Sequence, residues 1–151
     1  MNPNITPFLW FDGNAEEAVN FYASIFPGAV IHGMSHYPES GPAPAGSVMT
    51  IDFELSGQRF VALNAGPEYK FNPAVSFFVS CDTQEEIDRY WTALTAGGKE
   101  VRCGWLEDKF GLSWQIVPRD MTTIVRSPAA MKAMMGMVKI DMAKLKEAAE
   151  G

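Results

Sequence analysis

The sequence predicts an α+β domain in which a βαβββ unit occurs twice, its strands forming a curled mixed sheet cup, with helices added at the C-terminus. Three observations predict it. Twice along the chain the apolar residues change from a period of two to a period of three to four and back again. Helix and turn residues of the first half align with those of the second without a gap. At 151 residues and 47% hydrophobic content, the chain has the length of one ordinary domain, able to bury about two-thirds of its unfolded surface.

The first unit spans residues 5–66. Thr6 to Phe11 is an apolar run of strand-forming residues, and Asn14 then stands as a helix N-cap. Glu16 and Glu17 suit the positive end of that helix. Ala18, Phe21, Tyr22 and Ile25 give it one apolar face, and Pro27-Gly28 ends it. A strand is expected from Ala29 to Tyr37. Pro38 to Gly46 holds three Pro and two Gly and reads as an exposed loop between strands. Met49, Ile51, Phe53 and Leu55 then alternate with polar residues, and Ser56-Gly57 turns this half-buried strand into another, Gln58 to Asn64.

The second unit, residues 73–118, repeats the order. Ala74 to Ser80 is a strand, Asp82 or Thr83 a cap, and Gln84 to Thr95 a helix with Ile87, Tyr90, Trp91 and Leu94 on one face. Setting Glu16-Glu17 on Glu85-Glu86 brings Phe21-Tyr22 onto Tyr90-Trp91, Ile25 onto Leu94 and Gly28 onto Gly97. Gly57 with Phe60 matches Gly111 with Trp114 at the same spacing. The tail, 120–151, lies outside the repeat. Met131, Met134, Met135 and Val138 form a helical apolar stripe there, and Asp141 caps a short Ala/Lys/Glu helix. The whole, 1–151, reads as a single domain.

A formal charge of −6 and a pI near 4.8 exclude functions that depend on neutralising phosphates or anionic lipids. Nucleic acid and membranes are not expected partners. There is no 18-residue apolar run, and Met1-Asn2-Pro3-Asn4 lacks the basic and apolar regions of a signal peptide, so a cytoplasmic location is expected. Cys81 and Cys103 are too few for a disulfide scaffold and lack metal-site spacing. Reduced thiols are the expectation, with a single bridge left open.

Several motifs carry a resemblance. Thr-Pro-Phe-Leu-Trp-Phe-Asp-Gly-Asn-Ala-Glu-Glu-Ala (6–18), Phe21-Tyr22, Leu-Ser-Gly-Gln-Arg-Phe (55–60) and Cys-Gly-Trp-Leu-Glu-Asp-Lys-Phe-Gly-Leu-Ser-Trp-Gln (103–115) stand in this chain. Together they resemble the PhnB-like branch of the vicinal oxygen chelate superfamily, which takes in glyoxalases, bleomycin-resistance proteins and dioxygenases. The resemblance covers about residues 5 to 145. Such relatives often carry the label 3-demethylubiquinone-9 3-methyltransferase. It implies a glyoxalase-like fold, a small-molecule cleft and a homodimer, with the Met-rich C-terminal helix supporting the interface. For methyl transfer from S-adenosylmethionine one would look for a glycine-rich βα turn inside a doubly wound sheet, and no such turn stands here.

Metalloenzymes of that superfamily place His or Glu ligands on strands one and four of each unit. By the internal alignment these positions fall at Pro7 and Ser76, and at Val61 and Gln115. None is a good ligand for a divalent cation, so no metal and no other cofactor are expected. His32 and His36 would share a strand face about 13 Å apart, too far for one ion. They read as exposed polar positions beside the long loop, although His36 could reach a cleft as an acid or base.

Strand parity puts Phe60, Trp114, Phe77 and Val79 under the helices. It leaves Thr50, Asp52, Arg59, Val61, Ser76, Phe78, Ser113 and Gln115 on the concave face. Arg59 is expected to form a cross-strand ion pair with Asp52 or Glu54. Trp10 and Trp105 serve as core or as pocket walls, Trp105 being the better wall. Cys103 has no local His to activate it. The ligand-binding set expected is Asp52, Arg59, Asn64, Ser76, Phe78, Trp105 and Gln115, and the function expected is binding of a small molecule without the usual metal. Two alternatives stand beside it: an enzyme using a metal elsewhere or acid/base chemistry, and an interaction module with a filled cup.

Overall fold

A computed structural model describes residues 2–151. Backbone contacts divide the chain into two compact units, one ending at Lys70 and the other beginning at Phe71. The division falls between the two repeats expected from the sequence.

In the first unit the elements run β1 (Phe8–Phe11), α1 (Ala15–Ile25), β2 (Val30–His36), β3 (Val48–Leu55) and β4 (Gln58–Asn64). They make one mixed sheet of order β1-β4-β3-β2, with β1 parallel to β4 and the other pairs antiparallel. Period-two alternation sorts β3 and β4 cleanly. Ile51, Phe53, Leu55, Phe60 and Ala62 are buried on the face that α1 covers with Ala18, Val19 and Tyr22. Phe53 and Phe60 stack there with centroids 5.4 Å apart. Each such side chain contributes about 1.5–3 kcal/mol on leaving water. The two-residue turn between β3 and β4 has positive φ at both Ser56 and Gly57, the backbone that a tight type I′ hairpin demands.

In the second unit β5 (Ser76–Cys81), α2 (Gln84–Thr95), β6 (Lys99–Glu100), β7 (Trp105–Glu107) and β8 (Ser113–Pro118) precede α3 (Met121–Ile124), α4 (Pro128–Met135) and α5 (Met142–Glu150). Its sheet has the same order, β5-β8-β7-β6, with β5 parallel to β8. Phe77 meets Trp114 edge-on, centroids 5.3 Å apart, on the helix side, and Ile87, Leu94, Leu106 and Ile116 are fully buried. Gly98 sits where a Cβ would lie 2.1 Å from the Glu107 carbonyl oxygen, so only glycine lets the chain pass there.

The repeat is therefore real, with one correction to its register. The helices align at the expected offset, and Gly28 and Gly97 both end them with positive φ. The first strands do not, because Asp12-Gly13-Asn14 separates β1 from α1 where only Asp82-Thr83 separates β5 from α2. Phe8 lies opposite Val61, and Phe78 opposite Gln115. The positions that correspond are thus Phe8 and Phe78, not Pro7 and Ser76.

Two local expectations also change, and two caps stand as expected. Asn14 occupies the N-cap of α1 without a side-chain bond; the Asn64 amide oxygen accepts from Ala15 N at 2.8 Å instead. Thr83 does cap α2, accepting from Glu86 N at 3.2 Å, and Asp141 caps α5, accepting from Lys144 N at 3.0 Å. The methionine stripe is shorter than expected, since Gly136 ends α4 and leaves Val138 beyond it.

Candidate functional site

Each sheet has one face under its helix and one face turned away from it, and the expected binding residues divide between the two units. In the first unit Thr50, Asp52, Glu54, Arg59 and Val61 occupy the face away from α1, as parity requires. Arg59 lies opposite Glu54 yet reaches diagonally to Asp52, its Nε donating to Oδ1 at 3.2 Å and its Nη2 to Oδ2 at 2.6 Å. The fork geometry of guanidinium and carboxylate accounts for the bidentate pairing. Asn4, Ile5, Thr6, Gly57, Gln58 and Val61 join this pair around an open depression of about 410 Å³.

Glu54 takes a different partner, His32, at 3.3 Å. The shared face expected for His32 and His36 does not follow from their spacing, because the register of β2 against β3 shifts between Ile31 and Gly33 and again between Ser35 and His36. Such bulges break the alternation and blunt an exposed sheet edge.

Asn64 is fully engaged within its own unit. Besides capping Ala15, its Nδ2 donates to Val48 O at 3.1 Å, and its backbone oxygen accepts from the Tyr37 hydroxyl. It ties α1, β3 and the start of the 38–47 loop together. Trp10 donates its indole N–H to Gly66 O at 2.8 Å and meets Tyr69 edge-on at 4.9 Å, while Phe8 is 58% exposed beside Val61.

In the second unit Ser76, Phe78, Trp105 and Gln115 come together on the face away from α2. Phe78 and Trp105 flank Gln115 as its neighbours on β5 and β7. Gln115 Nε2 donates to Ser76 Oγ at 3.0 Å. Phe78 is 47% exposed, an unusual state for a phenyl ring at the centre of a strand. Ser113 shares this face but is buried. The amide oxygen of Gln115 remains as an acceptor between two aromatic side chains.

Asp108 is the residue that sequence reasoning passed over. It is 2% exposed and accepts from Phe110 N at 2.8 Å, Leu112 N at 3.1 Å and Trp114 Nε1 at 2.9 Å. It fixes the turn that leads β8 into register. The signal lay in the Asp-Lys-Phe-Gly-Leu-Ser-Trp run, whose acidic residue sits just before a glycine turn.

Neither cysteine is paired with another. Cys81 faces α2, where burial first and then the Glu86 and Asp82 carboxylates push its thiol up to about 11. Among the described residues no three His, Cys, Asp or Glu side chains converge as a metal site would require. With the register corrected, the positions that the resemblance assigns to metal ligands carry Phe8 and Val61 in the first unit and Phe78 and Gln115 in the second. Of these side chains only Gln115 has a donor atom. Among the described residues no helix is long and apolar enough to cross a membrane.

Comparison with known proteins agrees with this architecture. Residues 3–117 match the family described as 3-demethylubiquinone-9 3-methyltransferase. The tail beyond β8 lies outside that match. No protein of curated function matches the chain. The chain is similar to a PhnB protein from Bacillus cereus, described as a 3-demethylubiquinone-9 3-methyltransferase, at 40% identity over 75% of this chain and 97% of that one, with a TM-score of 0.68. Protein PA1353 from Pseudomonas aeruginosa is 24% identical over 75% of this chain and 95% of its own, with a TM-score of 0.61. The fosfomycin resistance protein FosX from Listeria monocytogenes, solved with Mn(II) and sulfate, is 13% identical over 82% and 98%, with a TM-score of 0.53. That last likeness is one of fold alone. The chain belongs to the 3-demethylubiquinone-9 3-methyltransferase family, within the PhnB-like branch of the vicinal oxygen chelate superfamily.

Proposed function

We propose that this protein binds a small organic molecule with a flat, partly aromatic body, and that it does so without the divalent metal used elsewhere in the superfamily. The observation that carries this reading is the half-exposed Phe78 set against Gln115, with Trp105 on the other side and Ser76 hydrogen-bonded to the amide. Two aromatic surfaces supply stacking area and the amide fixes orientation, the usual division of labour in a small-molecule site. The Asp52–Arg59 pair lies in the first unit's own depression and offers a charged contact there. The protein acts in the cytoplasm as a homodimer.

Methyl transfer from S-adenosylmethionine is not supported by the geometry. The β1–α1 turn has a single glycine, the β5–α2 turn has none, and both sheets are mixed and four-stranded. A phosphate or carboxylate cradle of the doubly wound kind has no place in them. Micromolar binding of S-adenosylmethionine in calorimetry would contradict this.

The test is a tryptophan-fluorescence titration with a panel of small phenols, diphenols and aromatic acids. Saturable binding by the wild type that falls at least fivefold in Phe78→Ala, with unchanged thermal midpoint, supports the reading. Equal affinities in the two proteins would overturn it. A second reading, acid/base chemistry, rests on the His32–Glu54 contact. It requires that His32→Gln abolish turnover of a ligand that still binds.

A further inference from the structure

The Gln115 amide has more hydrogen-bonding capacity than its own unit uses. A primary carboxamide carries two N–H donors and an oxygen with two lone pairs, all on one planar group. One N–H goes to Ser76 Oγ at 3.0 Å, and the second N–H and the oxygen have no side-chain or backbone partner among the described residues. A donor and an acceptor therefore stand side by side. Ser76 holds the group from turning, since its bond crosses from β8 to β5.

The surroundings restrict what can pair with that edge. Phe78 on β5 and Trp105 on β7 are the neighbours of Gln115 on its two sides, and Phe78 is 47% exposed. Ring faces favour a flat partner. By strand parity β5 and β8 contribute only neutral side chains to this face. Glu107, two residues along β7 from Trp105, is closed in an ion pair with Lys99 at 3.4 Å. A charged ligand would lose water here and gain no counterion, whereas a neutral one loses less.

Building on the aromatic-ligand reading above, on which this rests, we propose that the ligand is uncharged and offers Gln115 the edge of a cyclic amide, an N–H beside a C=O in a flat ring. The ligand N–H donates to Gln115 Oε1, and the ligand C=O accepts from the free Nε2–H. Amide side chains pair at two points in this way with the donor and acceptor edge of a nucleobase. A ring with only the donor or only the acceptor makes one of the two bonds and leaves the other half of the amide unpaired. A neutral hydrogen bond of this kind is worth about two- to tenfold in affinity. Flat lactams, cyclic imides and pyrimidinones make up the ligand class.

The experiment is a calorimetric titration with four compounds of nearly one size. Oxindole has both groups, N-methyloxindole only the acceptor, indole only the donor, and indene neither. Oxindole should bind wild-type protein at least about fivefold more tightly than each of the other three. Gln115→Leu should remove that preference with its circular dichroism unchanged. Gln115→Glu, which keeps an acceptor oxygen and loses the N–H groups, should bring oxindole down to the level of indole. Equal affinities for oxindole and N-methyloxindole, both weakened by Phe78→Ala, would overturn the amide assignment while the aromatic site stands. A preference for oxindole that survives in both Gln115 variants would overturn it too. No saturable binding by any of the four would overturn both readings.

Discussion

Gln115 Nε2 donates to Ser76 Oγ at 3.0 Å across the parallel pair of β5 and β8, and the bond joins two positions 39 residues apart. It holds the Gln115 amide upright between Phe78 and Trp105, leaving its oxygen free to accept from a ligand.

Loss of that amide should therefore cost binding more than stability. The Ser76–Gln115 bond is half-buried and neutral, worth about 0.5–1.5 kcal/mol. Gln115→Ala should lower stability in urea denaturation by no more than that. It should weaken a ligand found in the fluorescence titration at least fivefold, the equivalent of about 1 kcal/mol. Ser76→Ala should give a smaller loss of affinity, because it only frees the amide to rotate.

Asp108 predicts the opposite pattern. Its carboxylate is the acceptor for Phe110 N, Leu112 N and Trp114 Nε1. Asp108→Ala would bury donors with no acceptor, at a cost of about 3–5 kcal/mol. Asp108→Asn keeps one acceptor oxygen and should lose less. Urea denaturation of the two variants against wild type checks the order.

Asn64, expected among the ligand contacts, also has a structural role, its side chain joining Ala15 N to Val48 O. Asn64→Ala should cost about 1–2 kcal/mol, as removal of a helix cap does. Hydrogen exchange should show the amide of Ala15 losing protection first.

Two glycines make a steric pair. Gly98→Ala would press a methyl onto the Glu107 carbonyl at 2.1 Å, whereas Gly33 has nothing within 4 Å of a built Cβ and no positive φ. Gly98→Ala should destabilise by about 3 kcal/mol or more, since backbone on both sides must move. Gly33→Ala should be neutral within about 0.5 kcal/mol. Thermal midpoints of the two variants separate the cases.

The cysteines should differ in reactivity. Burial and two nearby carboxylates raise the Cys81 thiol to about 11, so its ionisation is suppressed at pH 8. Iodoacetamide at that pH should label native protein once, at Cys103, and denatured protein twice. The sign for stability follows from the same shift. The folded state keeps the Cys81 proton between the ordinary thiol value of 9.0 and about 11, while the unfolded state loses it. This contribution is present in full below pH 9 and is lost as the pH rises toward 11. Cys81→Ala should flatten that alkaline decline.

The fold was legible because its signals are local and repeated. Phe21-Tyr22 over Tyr90-Trp91 and Gly28 over Gly97 mark the same helix and the same turn twice, and both sheets have the same strand order. Parity also placed Asp52, Arg59, Ser76, Phe78 and Gln115 on the correct faces. What escaped was set by contacts distant in sequence. The β1–α1 turn is one residue longer than its counterpart, and no composition rule reveals that, so the internal alignment points to Pro7 where the strand pairing has Phe8. Asn64 caps a helix 49 residues away, a role that strand-end position cannot distinguish from ligand contact. The bulges, at His32 on β2 and at Met49 on β3, arise from the pairing of the two strands and have no signature of their own in Val-Ile-His-Gly-Met-Ser-His.

In the proposed function, Phe78 and Gln115 of the second unit offer an organic molecule a surface where a metal would need ligands. The decisive experiment is metal analysis of protein purified without chelator, read together with native mass spectrometry of the same sample. Zinc, nickel, manganese and iron should each be well below one equivalent, and any retained mass should be organic and lost in Phe78→Ala. One equivalent of any of these four metals, displaced by substitution at Gln115, would contradict it.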